Sequence, residues 1–204
     1  MLSAGPLLAD ERVYIALCNR CDLPVSLIRD ARAEVDRLFE RCEVKIAWRE
    51  CEGDLAKLQA SESNWFLIRL QSRRSCGGRC IASPDAAGRA FLDPDETGHL
   101  ADVYVQSVQD VADRHRGDTA ALLGHVLAHE LGHLILGPGH TSSGIMRAVW
   151  TARDFGDLQK GWLQFTDHER RRIRGAVRRT SLGKVTANAE AAGFRARSLR
   201  RRPA

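Results

Sequence analysis

Hydrophobic and polar positions recur with different periods along this chain, and the periods change at turn residues. Arg12 to Leu17 is short and β-rich and predicts a strand. After Pro24, the residues Leu27, Ile28, Ala31, Val35, Leu38 and Phe39 return every three or four positions. They share one face, so a helix is expected there. Val44 to Trp48 alternates and reads as a second strand, and Asn64 to Leu70 as a third. A strand, helix, strand order with a long crossover implies a parallel pair. Gly77 to Gly98 is rich in Gly, Pro and Asp and predicts a loop, with room for a short strand at Ala90 to Leu92. Ala101 to Ser107 reads as a further strand. Asp118 or Thr119 can cap a long helix that reaches Leu136, where Gly137 and Pro138 stop it. Thr166 and Glu169 have the spacing of a capping box for a last helix from Asp167 to Arg179.

A length of 204 residues suits one domain with a tail. With 44% apolar and 28% charged residues, the chain has the composition of a globular protein with a sizeable core. No unbroken apolar run approaches 18 residues, so no transmembrane segment is expected. Met1 to Asp10 lacks the basic start of a signal peptide, and the compartment stays open. The net charge of +5 is unevenly spread. From Arg170 onward there are twelve Arg or Lys and one acid, Glu190, for a net +11, while residues 1–169 carry −6. A solvated tail is the expectation for residues 180–204. Polyanion binding by its arginines is the weaker alternative, because only Phe194 interleaves with them.

The chemistry concentrates in Ala128-His129-Glu130-Leu131-Gly132-His133. Two histidines four apart on a helix lie about 40° apart around its axis and one turn apart along it, so both imidazoles can reach one metal ion. Glu130 can face the same site without ligating and act as general base toward a metal-activated water. The neighbouring positions are apolar: Leu122, Leu123, Val126, Leu127, Leu131, Leu134 and Ile135. Two imidazoles and a carboxylate buried there without a partner would be costly, and a metal removes that cost. Zinc sites in hydrolases commonly use three protein ligands and one open position. His140, after the Gly137-Pro138-Gly139 turn, is the expected third ligand. His125 lies one turn before His129 and is expected to support the site or to pack. His99, His115 and His168 are expected at the surface.

His129-Glu130-x-x-His133, a glycine turn, His140 and then Gly144-Ile145-Met146 resemble the metzincin zinc peptidases. The resemblance spans His129 to Met146. It implies a third histidine ligand at His140 and a methionine turn at Met146 beneath the metal. It departs from the family pattern in three respects. The turn holds one extra residue, with Leu136 at the family's glycine position and His140 seven residues after His133 instead of six; the run from His140 to Met146 is short; and no tyrosine closely follows Met146. What is implied is a zincin-like α+β domain over residues 1–179, with a twisted mixed sheet, a long active-site helix and a small C-terminal helical subdomain. By the same analogy Ala101 to Ser107 would be the edge strand, open to an extended peptide. The implied activity is a zinc-dependent metallopeptidase acting on a peptide or protein substrate, with Zn2+ as cofactor and Glu130 as general base. The rival from another class is a non-catalytic zinc module that binds a protein or peptide.

Six cysteines complete the picture. Cys18, Cys21, Cys51, Cys76 and Cys80 all follow predicted strands. Parallel strands would gather them at one end of the sheet, as disulfides, as a second metal site or as free thiols. Cys42 precedes the second strand and cannot reach Cys51, since eight extended residues span roughly 25 Å.

Overall fold

The computed structural model describes residues 11–51, 64–72 and 86–181. Strand β1 (Arg12–Asn19) leads to helix α1 (Val25–Glu40) and then to β2 (Lys45–Glu50), β3 (Trp65–Gln71), β4 (Gly88–Phe91) and β5 (Leu100–Tyr104). Helices α2 (Val105–His115), α3 (Thr119–Leu136), α4 (Ala152–Gln159) and α5 (167–181) follow. The fold is α+β with a mixed five-stranded sheet in the order β2-β1-β3-β5-β4. Strands β2, β1, β3 and β5 are parallel, and β4 runs antiparallel along β5.

One sheet face is apolar. Val13, Ile15 and Leu17 of β1, Phe66, Ile68 and Leu70 of β3, and Ala101 and Val103 of β5 are buried against α1 and α3. On α1, Ala31, Val35, Leu38 and Phe39 supply the matching stripe, as the three- and four-residue spacing requires. α3 is apolar around most of its circumference, and twelve of its residues are buried. It has the length and composition of a membrane span, but its apolar sides are taken up by the core. Gly124 lets α1 approach closely: a Cβ there would stand 2.6 Å from the Cβ of Glu34.

The expected elements occur within one or two residues at most ends. Asp118 caps α3, its carboxylate accepting from Ala121 N–H at 2.9 Å. The Thr166/Glu169 capping box is present: Glu169 accepts from Thr166 N–H at 2.7 Å, and Thr166 Oγ1 accepts from Glu169 N–H at 3.3 Å. Helix α5 continues two residues past Arg179, to position 181. Its arginines are not all solvated: Arg172 donates to Leu136 O at 3.2 Å, while Arg174 and Arg178 pair with Glu43 and Glu11 of the acidic body.

Two expectations change. The edge strand is β4, not the segment Ala101 to Ser107: β5 lies inside the sheet, and residues 105–107 already belong to α2. The strand leads into the helix without a turn residue, and that is why the junction was not visible in the pattern. Helix α4 was likewise unexpected, although Thr151 and Asp154 form its capping box.

Among the cysteines, Cys18 and Cys51 form a disulfide, their Cα atoms 4.9 Å apart. They lie one step beyond the Leu17–Glu50 pairing of β1 and β2, so the bridge clasps the ends of adjacent strands. Cys21 and Cys42 are free, and burial pushes the Cys42 thiol up to about 12. Cys76, Cys80 and residues 182–204 lie outside the described residues. The bridge spans a sequence separation of 33 and should contribute about 3.7 kcal/mol through loop closure. Cys51→Ser is therefore expected to lower the melting temperature by roughly 7–15 °C. An unchanged melting temperature would show that the bridge does not form in solution.

Candidate metal centre

His129 and His133 lie one turn apart on α3, and His140 comes back to them after the Gly137-Pro138-Gly139 turn. One ring nitrogen from each of the three lies within 4.8 Å of the others. Gly137 and Gly139 hold φ of +88° and +119°, values that favour glycine, and this lets the chain reverse immediately after α3. The backbone orients two of the rings. His129 Nδ1 lies 2.8 Å from Ile145 O, and His133 Nδ1 lies 3.3 Å from Gly137 O. A carbonyl can only accept, so each Nδ1 carries the proton and each Nε2 presents a lone pair. The two Nε2 atoms are 3.1 Å apart.

Facing lone pairs repel unless a cation sits between them. Neither ring is suited to supply that cation itself by taking a proton. Burial lowers the His129 pKa to about 4 and also lowers that of His133. Tetrahedral zinc holds neighbouring nitrogens about 3.3 Å apart, so this donor set fits a zinc ion.

Glu130 lines the same cavity as the three histidines without joining their cluster, and it is 5% exposed. Burial raises its pKa to about 8, against a backbone hydrogen bond from Ala90 that lowers it. The edge strand makes this arrangement possible. Gly88 of β4 lies so close that a Cβ there would stand 2.7 Å from the Glu130 carboxyl carbon. Gly88 and Ala90 were not expected to matter, and their only sequence signal was a short strand in a glycine-rich loop.

Beneath the histidines, residues 144–147 make a tight turn in which Arg147 N–H donates to Gly144 O at 3.2 Å. Met146 is 2% exposed and its sulfur packs against Gly132, where a Cβ would collide with it. Ile145 serves both directions: its N–H donates to Gln164 O at 3.1 Å, and its carbonyl receives His129 and, at 3.1 Å, Trp150 Nε1.

The other histidines separate from the cluster. His125 is fully buried, with Nδ1 2.9 Å from Ala121 O and Nε2 3.0 Å from Leu163 O, and it lies 3.3 Å from Glu34. It joins α1, α3 and the segment before α5. His99 and His168 are exposed. His115 departs from its expected surface position: it is half-buried, stacked on Phe155 with ring centroids 3.7 Å apart, and lines a cavity. That cavity, of about 640 Å³, opens beside the three histidines and Glu130. Its walls include Val108, Val111, Leu122, Val126 and Phe155.

Comparison with known proteins adds a structural neighbour. No family model matches the chain, and no curated protein matches it. Among solved structures, it is similar to the crystal structure of archaemetzincin from Methanopyrus kandleri. The identity is 17%, the alignment covers 83% of this chain and 96% of that one, and the TM-score is 0.47.

The buried groups make stability depend on pH in a defined way. The folded-state pKa of Glu130 is raised, so its contribution is full below about 4.5 and is lost as pH rises toward 8. The folded-state pKa of His129 is depressed, so its contribution is full above about 6.5 and is lost as pH falls toward 4. Between pH 6.5 and 8 only the Glu130 effect remains of the two. The metal-free protein is expected to lose about 2 kcal/mol across that window. Denaturant unfolding in chelator should show the decline in wild type and a flat profile in Glu130→Gln. A slope retained in the variant would assign the titration elsewhere.

Proposed function

We propose that this chain is a zinc-dependent metallopeptidase, with His129, His133 and His140 as the ligands and Glu130 as the general base. The observation that carries the reading is the pair of Nε2 atoms 3.1 Å apart, beside a buried carboxylate that takes no part in the cluster. Three imidazoles alone describe a metal site. A carboxylate held next to it with its pKa raised toward neutrality is what proton transfer at a reacting centre requires.

Zinc, when bound, supplies a Lewis acid that polarises a carbonyl and lowers the pKa of water. The chain's own residues do the rest. Ile145 O and Gly137 O hold the His129 and His133 rings with Nε2 outward, so the ligand geometry is set before the ion arrives. The Glu130 carboxylate takes the proton from the attacking water and returns it to the departing amine nitrogen, a general acid–base role its place in the cavity beside the histidines allows. Gly88 to Phe91 lies at the edge of the described sheet beside Glu130, a position suited to pair with the backbone of an extended peptide. The apolar cavity accommodates a large apolar side chain next to the scissile bond. Met146 packs beneath the ligands as a methionine turn, its sulfur filling the space that Gly132 leaves open.

Metal analysis of the purified protein is the deciding experiment. Wild type is expected to hold one zinc per chain. His140→Ala should weaken zinc binding by at least tenfold. Glu130→Gln should retain zinc and lose peptide hydrolysis by about 10²–10⁴-fold. Zinc without hydrolysis in wild type would favour the non-catalytic binding module, and full turnover in Glu130→Gln would remove Glu130 from its role.

A further inference from the structure

The cavity beside the histidines has a charged end. Along α2, Val108, Val111, Arg114 and His115 follow one another at helical spacing and all line it. One wall is a run of rings. His129 meets Trp150 at 6.2 Å, Trp150 meets Phe155 at 6.2 Å, and Phe155 stacks on His115 at 3.7 Å. On the opposite side the wall follows α3 back to Leu122, seven residues before His129, a distance of about 10 Å. Arg114, beside His115, therefore stands at the end remote from the metal ligands.

The charges along this wall are one-sided. Among the described residues, Glu130 is the only carboxylate lining the cavity. Three arginines line it, and two are already engaged: Arg147 is held by Asp154 at 3.0 Å, and Arg89 lies over the Phe91 ring at 5.0 Å. Arg114 donates through Nε to the backbone carbonyl of Asp110 at 3.2 Å and has no carboxylate partner among the described residues. The Asp110 side chain is occupied by Gln106 Nε2 at 3.0 Å. A guanidinium left without a counter-ion at the end of an apolar channel is a forked donor matched to a carboxylate.

We propose that Arg114 is a specificity-determining residue that selects a carboxylate on the substrate, held at the end of the cavity remote from the metal ligands. The proposal rests on the peptidase reading. The carboxylate has two sources, an acidic side chain or the C-terminal carboxylate of a short peptide. Because Arg114 is exposed, salt screens the attraction and its size is modest.

The test uses zinc-loaded full-length protein and matched fluorogenic peptides. Each has a large apolar residue at the cleavage site and Glu, Gln or Lys at one position from the second to the fifth along. The Gln peptide is made with both a free-acid and an amidated end. Wild type should prefer Glu over Lys by about fivefold in kcat/KM. The difference should lie in KM and shrink as salt is raised. Arg114→Glu should reverse the order. A gain only for the free acid over the amide would assign the carboxylate to the chain terminus. Equal rates for all peptides, or an order unchanged in Arg114→Glu, would overturn the proposal. If nothing is cleaved, binding of the same peptides to Glu130→Gln, with and without Arg114→Glu, separates the two ideas. A reversed preference would uphold Arg114 while the peptidase reading falls, and no preference would overturn Arg114 as well.

Discussion

A helix that is apolar almost all round has to be buried almost all round, and in this chain that helix also carries three imidazoles and a carboxylate. The rest of the structure follows from satisfying both conditions on α3. Its apolar positions are covered by α1, the inner sheet face and the segment leading to α5. Its polar groups are left in surroundings that resist ionisation, with the His129 pKa depressed and the Glu130 pKa raised. Burial is thus the shared cause of the stability of this helix and of the unusual chemistry along it.

The polar groups are placed by backbone rather than by other side chains. Ile145 O and Gly137 O hold His129 and His133, and Ala90 N–H reaches Glu130. A backbone group anchored by neighbouring hydrogen bonds has less freedom than a side chain, so it orients a ring at lower entropic cost. It also explains the glycines at the contacts. Gly88 and Gly132 sit where a Cβ would displace Glu130 or Met146, so the site depends on absent atoms as much as on present ones.

Away from the site, three ties hold the periphery to this core. The Cys18–Cys51 bridge clasps β1 to β2. His125 links α3 to Leu163 and lies beside Glu34 of α1, whose carboxylate also receives Arg37. The arginines of α5 reach the acidic body through Glu11 and Glu43 and cap the last turn of α3 at Leu136 O. The charge asymmetry between body and C-terminal region therefore has a structural use within the described part of α5.

Local patterns in the sequence determined the elements whose cause is itself local. The α1 stripe, the Asp118 cap, the glycine stop after Leu136 and the Thr166/Glu169 box each depend on residues within a few positions of one another. The juxtaposition of His129 and His133 is equally local, since helix geometry alone brings them together. What only the tertiary structure decided was long-range. It placed β4 at the sheet edge beside Glu130 and turned His115 inward onto Phe155. It also paired Cys18 with Cys51 rather than with Cys21, and brought His140 back to α3. Each of these depends on which segments pack together, and packing is set by the summed burial of residues far apart in the chain, which no local period encodes.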